Sequence, residues 1–278
     1  MATIARAAYR AGTASAALIV AFLLVLQQLS AAAPEAGVVQ ASQAALIDRA
    51  LSELQPSSPS DASGHLYFVG FAGYGPEAVF KREVVAVRTL FDERFGTRGR
   101  SVALVNHVTT VDELPLASAQ NLERVLQHVG KIMDPARDTL FLFLTSHGER
   151  ALLAVEMPGL RLEHLTPAML KGMLDRSGIK QRIVVVSACH SGSFIPALAN
   201  ANTLVIAAAR ADRTSFGCDD KRRWTYFGDA YFNRALRQET SFRKAFDRAK
   251  RLIARWETKG RLVPSLPQIR GGEALMTE

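Results

Sequence analysis

Two unbroken apolar runs, residues 140–146 and 183–188, most restrict what this chain can fold into. The first reads Leu-Phe-Leu-Phe-Leu-Thr-Ser and leads into His147-Gly148. The second reads Ile-Val-Val-Val-Ser-Ala and leads into Cys189-His190-Ser191-Gly192. Short runs rich in Val, Ile and Phe are expected of strands buried on both faces, as in a parallel sheet. Ligands of an open parallel sheet bind beyond the carboxyl ends of its strands. If these two strands are neighbours, an imidazole and a thiol stand side by side at that edge. The pairing suggests a nucleophile with its acid/base partner.

The rest of the chain supplies the alternation such a sheet needs. Strands are predicted at 66–72, 101–105 and 204–209, in addition to the two runs above. Helices are predicted at 79–95, closed by Gly96, and at 118–133, where Leu122, Val125, Leu126 and Val129 share a face. Thr166-Pro167 supplies an N-cap and a first-turn proline for a third helix that stops at Gly178. Strands alternating with helices give right-handed βαβ units, hence an α/β fold with a mostly parallel sheet covered on both faces. With 278 residues, 48% of them hydrophobic, the core can be large. Residues 34–64, rich in Ala, Ser and Pro, read as a linker with a short helix near 41–54. The folded domain is expected over 65–278.

The N-terminus bears on address. Arg6 and Arg10 precede an uncharged stretch, 11–33, whose apolar heart is 16–26 and whose end is Ala31-Ala-Ala33-Pro34. This matches a secretory signal peptide. The stretch is also long enough for an uncleaved membrane anchor. Both readings export or anchor the chain and place the domain on the far side of a membrane. The net charge of +8 is concentrated in 243–261, where Phe242, Phe246, Ala249, Ile253 and Trp256 recur at helical spacing. A surface helix with its basic face in water accounts for this pattern. No aromatic stacking module or Gly-rich nucleic-acid motif accompanies it, so no nucleic-acid partner is expected.

Cys189 and Cys218 are the two cysteines, and an exported chain could join them in a disulfide. The setting of Cys189 argues for a free thiol instead. Taken alone, a cysteine in an apolar context is more often core than catalyst. Cys-His-Ser-Gly-Ser at a strand end is different, because its small residues permit a tight turn that exposes the sulfur. Gly148 likewise lets backbone approach a substrate. No Gly-x-Ser-x-Gly elbow, zinc-ligand spacing or phosphate loop occurs, so neither metal nor cofactor is expected. His65, His107, His128 and His164 read as isolated loop or surface residues. Gly70-Phe-Ala-Gly73-Tyr-Gly75 reads as a turn at the site's edge.

Four segments, in order across residues 65–240, resemble the legumain family of cysteine peptidases, peptidase C13, which includes the asparaginyl endopeptidases. They are Thr145-Ser-His-Gly148, Ser187-Ala-Cys-His-Ser-Gly-Ser193, the stretch 207–218, and Thr225-Tyr-Phe-Gly-Asp229. The resemblance implies a caspase-like three-layer α/β sandwich with a mostly parallel central sheet, and a cysteine endopeptidase acting on peptides or proteins. It makes Cys189 the nucleophile, His147 the acid/base, and the N–H groups of Gly148 and Cys189 the oxyanion donors. Ser215 and Asp229 match substrate-pocket positions, although Asp229 could equally cap a helix over 228–238. Lys81 or Arg82 falls where the family carries basic pocket residues. His190 departs from the glutamate that animal and plant members carry after the cysteine. That change unsettles an asparagine preference and admits an acidic residue. Two other readings stay open: a transamidase or ligase sharing the thioester, and a non-catalytic peptide-binding module.

Overall fold

The computed structural model describes residues 34–58, 60 and 63–275; the segment read as signal or anchor, 1–33, lies outside them. Residues Gln43–Glu278 form one compact unit. Its centre is a six-stranded sheet in the order β2-β1-β3-β6-β7-β8. β1 (Leu66–Ala72), β2 (Ser101–Val105), β3 (Thr139–Thr145), β6 (Gln181–Ser187) and β7 (Thr203–Ala207) run parallel. β8 (Gln268–Arg270) closes the edge antiparallel to β7. A small hairpin, β4 (Gly148–Glu149) with β5 (Leu152–Leu153), follows β3. The five expected strands are present. β3 and β6 begin one and two residues before the apolar runs and end one residue sooner.

The sheet is buried on both faces, and the strand period of two sorts each strand between two cores. Leu140, Leu142 and Leu144 of β3 face one side with Val184 and Val186 of β6. Phe141, Phe143, Ile183 and Val185 face the other. Three helices cover the first face: α1 (Pro34–Ser52) from Gln43 onward, α3 (Ala119–Ile132) and α4 (Pro167–Arg176). The second face is covered by α2 (Ala78–Arg94), a π-helical segment (Asp229–Ala235) and α7 (Phe242–Gly260). Between α4 and α7 lie two short helices, α5 (Ile195–Leu198) and α6 (Tyr226–Gly228). The second core is aromatic: Phe141 lies 4.4 Å from Phe91 and 5.1 Å from Phe242, ring centre to ring centre. Such pairs contribute about 0.5–1.5 kcal/mol each beyond the area they bury.

Local signals explain the helix starts. Ser118 and Thr166 accept the N–H groups of Asn121 and Met169; the Thr166 cap is as expected, and Ser118 caps α3 rather than opening it. α7 turns Phe242, Ala245, Phe246, Ala249 and Ile253 inward, which leaves its cations facing water. Within the stretch read as linker, Ile47 and Leu54 are buried, and Gln43 Oε1 accepts the Leu116 N–H at 2.8 Å.

The order of strands positions the site. β1 pairs with β2 on one side and β3 on the other, so the chain reverses its direction of winding at β1. The carboxyl ends of β1, β3 and β6 therefore border a crevice, the usual ligand site of open α/β sheets.

Candidate active site

The β3–β6 register sets Thr145 opposite Ser187. Two residues on stand the pair expected from the sequence, His147 after β3 and Cys189 after β6. The Ser146 N–H donates to Ser187 O at 3.3 Å, which carries the pairing past the strand ends. Ser146 is fully buried, and its hydroxyl donates to Ala154 O at 2.6 Å, anchoring the β4–β5 hairpin. A Cβ on Gly148 would lie 2.6 Å from Cys189 O and 2.9 Å from the Ala188 methyl. Only glycine lets the two chain segments approach this closely. The Ala154 N–H donates to His147 O, and Gly148 stands opposite Leu153. Antiparallel bonds alternate, so this is a non-hydrogen-bonded pair and the Gly148 N–H points away from β5.

His147 is fixed from three sides. Its ring meets Tyr74 edge-on at 4.6 Å and Phe80 at 5.2 Å. Its Nε2 lies 3.0 Å from the Glu77 carboxylate, and both side chains are partly exposed. An ionised carboxylate only accepts, so Nε2 carries the proton and the neutral ring keeps its lone pair on Nδ1. Glu77 precedes α2 in extended conformation at the N-cap position. Sequence reading missed it. The available signal was an acidic residue at the helix start directly after β1, the strand at which winding reverses. Glu77→Ala is expected to lower kcat about tenfold to hundredfold with KM nearly constant, and Glu77→Gln to lower it less. Steady-state kinetics of both variants check this. A raised KM at unchanged kcat would remove the positioning role.

Cys189 is half-buried with a free thiol. The Ser215 N–H donates to its sulfur at 3.3 Å, and the thiol reaches Ser215 O at 3.6 Å. The sulfur is thus held by the backbone of the pocket segment expected from sequence. His190 follows in the left-handed region, φ 56°. Its Nδ1 lies 3.1 Å from Ala211 O, and its own N–H donates to Arg213 O at 2.8 Å. A carbonyl accepts only, so Nδ1–H is the donor. The imidazole ties the Cys189 turn to the loop after β7. A Cβ at Gly192 would fall 2.7 Å from Ala211 N and 2.9 Å from Ala209 O, so this turn also needs its glycine.

Asp229 is placed differently from Ser215. Its carboxylate accepts from Asn233 Nδ2 at 2.7 Å and Arg234 Nε at 3.2 Å. With Arg222, Tyr226, Arg234 and Trp256 it lines a cavity of about 430 Å³. The helix cap is Thr225, whose hydroxyl accepts the Gly228 N–H. Lys81 Nζ contacts His107 Nδ1 at 3.2 Å and Thr109 Oγ1 at 2.7 Å. Burial, then Arg82, holds the Lys81 ammonium below its usual range. His107, which read as isolated, is therefore a buried partner of Lys81. Arg82 donates to the carbonyls of Asp220 and Arg222. Cys218 is also free, and burial, then the neighbouring Cys189, pushes its thiol up.

A sheet of this topology with histidine and cysteine at adjacent strand ends defines a cysteine-peptidase class of α/β protein. Comparison with solved structures agrees on the fold: the chain is similar to caspase-1 from Spodoptera frugiperda. The TM-score is 0.52 at 14% identity, and the match covers 78% of this chain and 93% of that one. The model of the peptidase C13 family matches residues 118–270, more than half of the chain. The chain belongs to that family. No curated protein matches it.

Proposed function

We propose that the chain is a cysteine endopeptidase. The observation that carries this is the β3–β6 register, which ends the two strands level and brings His147-Gly148 against the Cys189 turn. In this reading the Cys189 thiol gives its proton to His147 Nδ1, and the sulfur attacks the carbonyl carbon of a peptide bond. The carbonyl oxygen becomes an oxyanion facing the N–H groups of Gly148 and Cys189. The C–N bond breaks as the imidazolium protonates the departing amine. Water then hydrolyses the thioester and regenerates the thiol. Glu77 accepts from Nε2–H throughout and keeps the ring in the orientation the transfer needs. Ser215, bonded to the sulfur through its backbone, lies where the substrate residue before the cut would pack. Residues 1–33 export or anchor the domain, which fractionation of cells expressing the full chain would check.

The test is a cleavage-site profile on a denatured proteome. Cuts clustered after one type of residue, absent with the Cys189→Ala protein, are the expected outcome. An identical profile from both proteins would overturn the proposal. Adding an amine acceptor to the same digest distinguishes hydrolysis from acyl transfer by the mass of the new termini.

A further inference from the structure

The largest of the described clefts follows the helix whose N-cap, Glu77, contacts His147. It has a volume of about 1030 Å³ and runs along α2 between the loops 109–114 and 220–223. Lys221, Arg223 and Arg237 stand exposed on its rim. Among the described residues, no side-chain ion pair or hydrogen bond takes up their charge. Asp220 is already engaged, accepting the Ala78 N–H at 2.7 Å and facing Arg82 at 3.9 Å. The Arg82 Nε is buried without a partner. The floor is apolar: Val85, 43% exposed, with Ala86, Leu90 and Leu114. The lining carries five cations, Lys81, Arg82, Lys221, Arg223 and Arg237, against the three carboxylates of Glu93, Glu113 and Asp220, and this positive excess above an apolar floor suits an anionic ligand that also carries apolar side chains.

α2 links the cleft to the candidate active site. Glu77, bonded to His147, stands at the start of the helix. Lys81, Val85, Thr89 and Glu93 follow along the cleft at intervals of four residues. At about 1.5 Å per helical residue they lie roughly 6 to 24 Å beyond Glu77. An extended polypeptide covers that span in about two to seven residues at about 3.3 Å each. We propose that this cleft is a second substrate site, which takes an acidic, partly apolar segment several residues away from the bond that is cut. The proposal rests on the peptidase reading. A nucleic acid fits less well, since no aromatic side chain on which a base could stack lines the cleft.

The experiment has two arms, both on the full chain. In the first, the Cys189→Ala protein is titrated into a fluorescent Glu/Leu peptide and into the same peptide with Gln for Glu. The Glu peptide is expected to bind about tenfold tighter, with the difference shrinking at about 0.5 M salt. Arg223→Ala/Arg237→Ala should erase the difference without moving the melting temperature. In the second arm, wild-type protein cleaves substrates that carry the Glu or Gln segment on either side of the scissile bond. The Glu form should show about tenfold lower KM at equal kcat, and the double variant should lose that advantage. Equal binding of the two peptides, or tighter binding of a single-stranded oligonucleotide, would overturn the proposal. Selective binding of the Glu peptide with no hydrolysis of any substrate would instead overturn the peptidase reading and leave the cleft's ligand standing.

Discussion

Cys189→Ala is expected to abolish covalent labelling by a thiol-reactive peptidyl probe and to lower peptide hydrolysis about a thousandfold or more. His147→Ala should cut labelling severely without removing it, because the sulfur remains. The chain contains its own control. Cys218 is the other thiol, and burial pushes it up, away from the reactive thiolate form. Cys218→Ala should therefore label like wild type, and the residual label on Cys189→Ala should be near zero. Both cysteines are half-buried, and Cys189 differs in standing at a strand-end turn with the Ser215 N–H on its sulfur. Equal labelling of wild type and Cys189→Ala would place the reactive thiol elsewhere and sink the assignment. A peptide-binding module would behave differently again: it would bind the probe's peptide portion and label neither cysteine. Mass spectrometry of the labelled chain reads all these outcomes in one measurement.

The sheet was legible in the sequence because its strands are buried on both faces. Composition alone marks such strands, and the runs ending at His147 and Cys189 needed no partner to be recognised. The sequence left the β3–β6 pairing as a condition, and the structure meets it, with a single helix, α4, between the two strands. β8 is three residues long, Gln-Ile-Arg, and partly exposed; it forms only because β7 offers an edge, so nothing local announces it. The β4–β5 hairpin is two residues deep and is held by Ser146 and Leu165 rather than by strand propensity. At the site, residues within one motif were legible and residues paired across the chain were not. Glu77 lies 70 residues from His147 and Lys81 lies 26 from His107, and only the fold makes them neighbours. The resemblance joined Ser215 and Asp229 as pocket residues. The structure sets the Ser215 backbone on the Cys189 sulfur and Asp229 against Arg234 and Asn233.

Glu83→Ala is expected to destabilise the fold by about 3–5 kcal/mol, and Glu83→Gln to leave it folded with a flatter dependence on pH. Glu83 is fully buried on α2, in the core behind the reacting edge. One carboxylate oxygen accepts Thr145 Oγ1 at 2.7 Å, two residues before His147. The other accepts both the N–H and the hydroxyl of Thr225, at 3.0 and 2.8 Å. The side chain thus joins the end of β3 to the turn that starts α6. A Cβ on Gly228 would overlap its Oε1, so only glycine lets the turn approach the carboxylate this closely. Alanine would leave three buried donors unsatisfied around a cavity, and each such donor costs about 1–3 kcal/mol. Burial raises the carboxyl from 4.5 to about 7, against hydrogen bonds from Thr145 and Thr225 that favour the ionised form; Asp229 adds a smaller push upward. The folded value is the higher one, so this group's contribution is fully present below about pH 4.5. It is lost as pH rises through about 7, by on the order of 3 kcal/mol at full ionisation. Gln reproduces the protonated form: its carbonyl takes the Thr225 donors and its amide faces the Thr145 hydroxyl, which can rotate to accept. Denaturant midpoints between about pH 5 and pH 9 should therefore fall more steeply for wild type than for Glu83→Gln. Parallel slopes would show that the buried carboxyl does not titrate in this range and that Thr145 and Thr225 hold it ionised.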